Sequence, residues 1–217
     1  MRFLILLPAI ALYSCGKGKN KDSINPEHTK VATLLIHKDT LKESFQQEDT
    51  PGNEYLTATL KPIRENFKRI NSIAKWTSTV RKELDDSNEG GEALFYYSGG
   101  VLEKIVTRQF GETFQQLTEY YLLKGQLSFE FEKSYTYNRP IYYDSTSMKE
   151  NNDNQAFHFE KSEIEEDRSY FEKGKLIHQA NNQDCGSPFA NDYLLDEQKR
   201  IVAEFKRIYI LNNIGNR

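Results

Sequence analysis

Three segments of this chain repeat one short pattern: tyrosine, a bulky apolar residue, two further residues, glycine, one residue, leucine. They are Tyr96-Tyr97-Ser98-Gly99-Gly100-Val101-Leu102, Tyr121-Leu122-Leu123-Lys124-Gly125-Gln126-Leu127 and Tyr170-Phe171-Glu172-Lys173-Gly174-Lys175-Leu176. The pattern describes a β-hairpin: a bulky strand end, a tight turn in which glycine takes a positive φ, and a leucine that restarts the partner strand. The step from Gly125 to Gly174 is close to twice that from Gly100 to Gly125. Hairpins repeated in series predict an antiparallel meander, the constraint that most narrows what the chain can become.

The flanking segments agree. Trp76, Ser78, Val80, Lys82 and Leu84 alternate with polar residues, and Asp85 to Gly91 reads as a turn before a strand at Ala93–Tyr97. Val101–Phe110 and Phe114–Leu123 form a pair joined at Gly111-Glu112-Thr113. The clearest alternation runs through Leu127, Phe129, Phe131, Lys133, Tyr135 and Tyr137, with Ser128, Glu130, Glu132, Ser134 and Thr136 opposite. Pro140 ends it, since proline cannot donate to a ladder. Residues 141–160 are polar and read as an insertion, before a last hairpin at Ile164–Phe171 and Lys175–Gln179. Leu56, Leu60, Ile63, Phe67, Ile70 and Ala74 recur at helical spacing, with Pro62 at a helix start or kink; Leu194, Ile201, Phe205 and Ile208 do the same in a closing helix over 191–211. About seven strands with amphipathic helices packed on one face, the other face wet, give an α+β class. Hydrophobic residues make up 37%, with 13 Tyr and 13 Phe, so a core can be built largely from aromatics.

These Tyr-aromatic-x-x-Gly-x-Leu hairpins resemble the MORN-variant type of short Tyr/Gly repeat found in bacterial secreted proteins. The longer stretch from Gly90 to Gln179 is similar to uncharacterised Gram-negative bacterial lipoproteins. The resemblance implies a hairpin-rich fold and assigns no catalytic residue.

The N-terminus reads as an address. Arg2 supplies a positive charge, Phe3 to Leu12 is apolar, and Leu12-Tyr13-Ser14-Cys15 follows. Crossing about 30 Å of hydrocarbon takes roughly 20 apolar residues, more than this run has. It has the form of a signal peptide, whose end resembles a bacterial lipobox. That resemblance implies cleavage before Cys15 and lipidation of Cys15 with a diacylglycerol and an N-acyl chain such as palmitate, a multi-chain anchor that holds to a bilayer. The alternatives are an ordinary cleaved signal or a buried N-terminal strand. The expected organisation is a signal peptide over 1–14, a flexible tether over 15–30 carrying Lys17, Lys19, Lys21 and Lys30, and a single domain over 31–217. Gly16, where an inner-membrane retention signal resembles Asp, favours the outer membrane. With Cys15 acylated, Cys185 has no intrachain disulfide partner and reads as a loop residue.

Several chemistries find no footing. A net charge of −3 gives no electrostatic case for nucleic acid. His28, His37, His158 and His178 share no ligand-like spacing, and there is no CxxC, GxSxG or SxxK, so no metal or cofactor is expected. Gly90-Gly91 and Gly99-Gly100 precede strands, where no helix N-terminus would receive a phosphate. Glu163, Glu165 and Asp167 share one strand face, ordinarily a solvated one. The cluster singled out for binding is Tyr137, Arg139, Tyr142, Tyr143 and Asp144, aromatic planes with an Arg and an Asp at a strand end, suited to carbohydrate stacking or a protein interface. The plainer reading is that Tyr135 and Tyr137 are core and Arg139 pairs with Asp144. The leading functional expectation is a membrane-tethered, non-catalytic binding module of the cell envelope with a protein or glycan ligand. The alternatives are an envelope hydrolase using carboxylates and a structural component of an envelope assembly.

Overall fold

The computed structural model describes residues 57–85, 87, 89–183 and 191–213. The expected signal peptide, the tether with Cys15, the start of the domain at residue 31, and Cys185 lie outside them.

Seven strands follow one another across one antiparallel sheet in sequence order: β1 Ser78–Leu84, β2 Gly91–Ser98, β3 Val101–Phe110, β4 Phe114–Leu123, β5 Gln126–Thr136, β6 Glu163–Glu172 and β7 Lys175–Asn181. Helix α1 (Thr57–Asn71) precedes them, a short helix α2 (Ser145–Glu150) interrupts β5 and β6, and α3 (Asn191–Leu211) follows. The α+β meander expected from the repeats is therefore the architecture.

The repeat encodes two features at once. Its glycine and the residue before it form the two-residue turns of β2–β3, β4–β5 and β6–β7: Gly99 and Gly100, Lys124 and Gly125, Lys173 and Gly174 all have positive φ, between 50° and 80°. Two such residues in succession match the right-handed strand twist. The register shifts at Tyr96/Tyr97, Tyr121/Leu122 and Tyr170/Phe171, so each Tyr-apolar pair is also a β-bulge. Across each bulge the tyrosine packs on one face, while the next residue and the motif leucine pack on the other.

The helices divide between the two faces. Leu60, Ile63 and Ile70 of α1 pack on Tyr121, Phe129, Phe131 and Tyr170, and Asn66 Nδ2 donates to the Leu122 carbonyl at 3.0 Å. Ile201 and Ile208 of α3 pack on Phe95, Ile105, Tyr120, Leu122, Leu127, Phe171 and Leu176. Tyr120 and Tyr121 are strand neighbours and so point to opposite faces. Both helices on one face is thus the wrong arrangement. The second face also carries an apolar patch, at the end where the repeat turns lie. There α3 is pinned twice: Gln198 Oε1 accepts from Leu176 N at 2.9 Å, and the Tyr97 hydroxyl donates to Asn212 Oδ1 at 2.6 Å. Full burial of each large apolar side chain contributes roughly 1.5–3 kcal/mol, so both patches need covering.

The polar insertion is ordered. Phe157 and Phe159 fold back onto Tyr135 and Tyr137, closing a third apolar cluster with Val106, Phe110 and Leu117. Between the clusters on the α1 face, buried charges are paired: Lys104 with Glu119 at 3.0 Å, and Lys133 and Arg168 with Glu166 at 2.9 and 3.1 Å. Among the described residues, no helix is long and apolar enough to cross a membrane.

Candidate functional site in the groove beneath the last helix

The α3 face of the sheet changes character along its strands. Towards the repeat turns it is apolar and covered by Ile201 and Ile208. Towards the other end the inward positions become polar, and α3 leaves a groove of about 560 Å³ over them. Gln109, Gln116, Thr118, Tyr120 and Glu132 supply the sheet side; Arg200, Ala203, Glu204 and Arg207 supply the helix side.

Strand register sets the order of these groups. Gln109 stands opposite Gln116 across β3 and β4, and Thr107 opposite Thr118. Thr118 stands opposite Glu132, and Tyr120 opposite Glu130. Glu132 in turn faces Asp167, and Asp167 faces Asn181. Residues spaced by two point to one face, so these form rungs running across the strands.

The helix wall is held by ion pairs. Arg200 reaches Glu132 Oε2 at 3.2 Å and Glu197 Oε2 at 2.9 Å, which fastens α3 to β5. Burial alone would lower the Arg200 pKa, but Glu132 and the hydrogen bond to Glu197 outweigh it and hold the guanidinium charged. Arg207 donates to both oxygens of Glu204, at 2.9 and 2.6 Å.

The floor is different. Thr118 is 4% exposed and Tyr120 1%, yet among the described residues neither hydroxyl has a hydrogen-bond partner. The side-chain amides of Gln109 and Gln116 are likewise without one. Burial, with Glu130 and Glu204 nearby, pushes the Tyr120 phenol well above its ordinary range, so it stays protonated and able to donate. Behind Tyr120, Glu130 is pushed up to about 8, chiefly by burial and then by Glu132; it carries a proton at neutral pH, and its Oε2 has no partner. Asp167 is pushed up to about 6 by burial, against the hydrogen bond from Asn181 and with Glu132 adding to the rise.

The cluster singled out from the sequence is dispersed. Tyr137 turns inward against Phe157 and Phe159. Arg139 pairs with Asp153 at 2.9 Å rather than with Asp144, and the Tyr143 side chain also bonds Asp153. Asp144 caps α2, accepting from Thr146 N and Ser147 N at 2.9 Å each. Tyr142 points outward, at 61% exposed. Only Arg139 and Tyr143 converge, on a carboxylate that neither spacing nor residue type had marked. His158 sits beside Glu160 and His178 against the Tyr170 ring, and among the described residues no group of three His, Cys, Asp or Glu could hold a metal ion.

The groove residues had a signal of their own in the sequence. Gln116 and Thr118 put polar groups at alternate positions of a strand face otherwise made of Phe114, Tyr120 and Leu122, and Gln109 and Gln116 stand on either side of the Gly111-Glu112-Thr113 turn. What could not be read was that α3 would reach over them.

No family model matches the chain, and neither the curated proteins nor the solved structures contain a match to it.

Proposed function

We propose that this chain is a lipid-anchored protein of the bacterial cell envelope, tethered through Cys15, whose domain binds a glycan without catalysis in the groove beneath α3. The reading is carried by the floor: Thr118 and Tyr120 are buried residues whose hydroxyls line the groove without a hydrogen-bond partner among the described residues, beside two half-buried amides also without one. Their hydrogen-bonding capacity is open to whatever enters the groove, and a ligand that brings donors and acceptors can use it. Hydroxyl and amide groups both donate and accept, which suits sugar hydroxyls, themselves donors and acceptors. The address supports an envelope setting: a short apolar leader ending in Leu12-Tyr13-Ser14-Cys15.

Binding of neutral oligosaccharides to the full chain in detergent, followed by calorimetry, tests the site. Gln116→Leu should weaken binding about tenfold, as losing a hydrogen-bonding pair to a half-buried amide does. A library of envelope glycans that shows no binding overturns the reading. Intact mass of wild type against Cys15→Ser tests the anchor: a lipid adduct on the first and none on the second is expected.

One observation favours a second reading, a carboxylate hydrolase. Glu132 lines the groove directly opposite Asp167, and Asp167 is pushed up to about 6. A carboxyl that holds its proton more firmly than usual, beside a second carboxyl group, is the arrangement that acid–base cleavage needs. Release of reducing ends from a bound glycan, abolished in Glu132→Gln, would establish it in place of simple binding.

A further inference from the structure

We infer that the groove's ligand is a linear glycan bearing cationic amino groups, lying across the strands from the amides of β3 and β4 onto the carboxylates of β6. This rests on the groove being a glycan site and adds the ligand's direction and charge.

The direction follows from the rungs. One runs Gln109, Gln116, Ser134, Glu165 across β3 to β6. The next, one pleat inward, runs Thr118, Glu132, Asp167, Asn181 across β4 to β7. Neighbouring strands are about 4.8 Å apart, close to the length of one pyranose in an extended chain, so successive sugars meet successive strands. The groove encloses the β3–β4 end of this track; the β6 end is open, with Glu165 exposed and Asp167 half-buried.

The charge follows from what stands along the track. On the sheet side of the β3–β4 end the groups are neutral: two amides and the hydroxyls of Thr118 and Tyr120, residues more than nine-tenths buried and, among the described residues, without a hydrogen-bond partner; on the helix side Glu204 and Arg207 are paired with each other. At the other end stand Glu132, Asp167 and Glu165, with Glu163 further along β6 on the same face. Asn181 Nδ2 donates to both Glu165 and Asp167, at 2.9 and 2.8 Å, and holds them side by side without neutralising either. The cation nearest this end, Arg200, is shared between Glu132 and Glu197. In the sheet rung itself the cation is Lys82 on β1, four strands from Glu132. A sugar ammonium over Glu165 and Asp167 would meet acceptors of opposite charge, while a uronate there would meet like charge. Burial and Glu132 hold the Asp167 carboxyl partly protonated near neutrality, so binding an ammonium should also release protons.

The test compares three probes on the full chain in detergent at mildly acidic pH: a glucosamine hexamer, its N-acetylated counterpart and a galacturonate hexamer. The glucosamine hexamer should bind about tenfold or more tighter than the acetylated one, with an advantage that shrinks as salt rises. The double variant Glu165→Gln, Asp167→Asn should lose that preference while keeping its affinity for the acetylated hexamer, which also reports that the fold is intact. Gln116→Leu should weaken both. Equal affinity for the charged and acetylated hexamers, or tightest binding of the uronate, overturns this inference and leaves the glycan groove standing. Failure of all three probes to bind removes both.

Discussion

Tyr120 stands directly opposite Glu130 across β4 and β5, and both side chains are 1% exposed. A phenol and a carboxyl have thus been placed side by side beneath α3, at the inner end of the groove. The carboxyl is neutral there, since burial and Glu132 push it up to about 8.

This sets a pH dependence of stability. The folded pKa of Glu130 lies above its unfolded value, so the native state holds the proton through a range where the unfolded chain has lost it. Stability therefore falls as pH rises from about 4.5 to about 8 and levels off above. Asp167 adds a smaller loss of the same sign, running from about pH 4 through about pH 6 and levelling off above. Glu130→Gln should flatten most of this slope and stabilise the domain by a few kcal/mol at pH 8 relative to its effect at pH 5. Urea midpoints at the two pH values measure it; an unchanged slope in the variant contradicts a buried, protonated Glu130.

Placing the helices on opposite faces has an energetic consequence. Leu60 of α1 and Ile201 of α3 are both fully buried and are separated by the sheet. Each truncation to alanine should cost about 2–5 kcal/mol. Because the two sites share no neighbour, the double variant should lose the sum to within about 0.5 kcal/mol. Were the helices packed together on one face, a coupling larger than that would be expected in denaturant melts.

At the repeat turns, Gly174 has φ of 78° with no atom within 4 Å of where a Cβ would stand. Gly174→Ala meets no clash and still pays for the left-handed backbone, about 1–2 kcal/mol. Lys173, at φ of 50°, carries that cost already, and Lys173→Asn should return a few tenths of a kcal/mol. Thermal midpoints moving in opposite directions for the two substitutions are the expected result.

Within the insertion, Arg139 bonds Asp153 through Nε and Nη2, at 2.9 and 3.2 Å, while Asp144 caps α2. A double-mutant cycle on Arg139 and Asp153 should show a measurable coupling that weakens as salt rises. The same cycle on Arg139 and Asp144 should show none, although Asp144→Ala alone is destabilising through the lost cap.

How much of this was legible follows the range of the interactions. The bulge and turn of each repeat are local: Tyr121-Leu122 and Lys124-Gly125 carry their own backbone preferences, so strand count, order and hairpin ends could be read directly. Asp144 shows the limit. It and Arg139 are near in sequence, and proximity suggested a pair, yet the nearest unsatisfied donors to Asp144 were backbone N–H groups of the helix it starts, and Arg139 found Asp153 across the folded insertion.

The amino-acid order by itself determined the meander, because alternation and turn chemistry act over a few residues and tolerate only one pairing register. Tertiary structure alone decided which face each helix covers, and so where a groove is left. An amphipathic helix asks only for an apolar surface, and this sheet has one on each side. The choice fell to contacts made between residues far apart in the chain, such as Arg200 with Glu132 and Asn66 with the Leu122 carbonyl, which no local pattern announces.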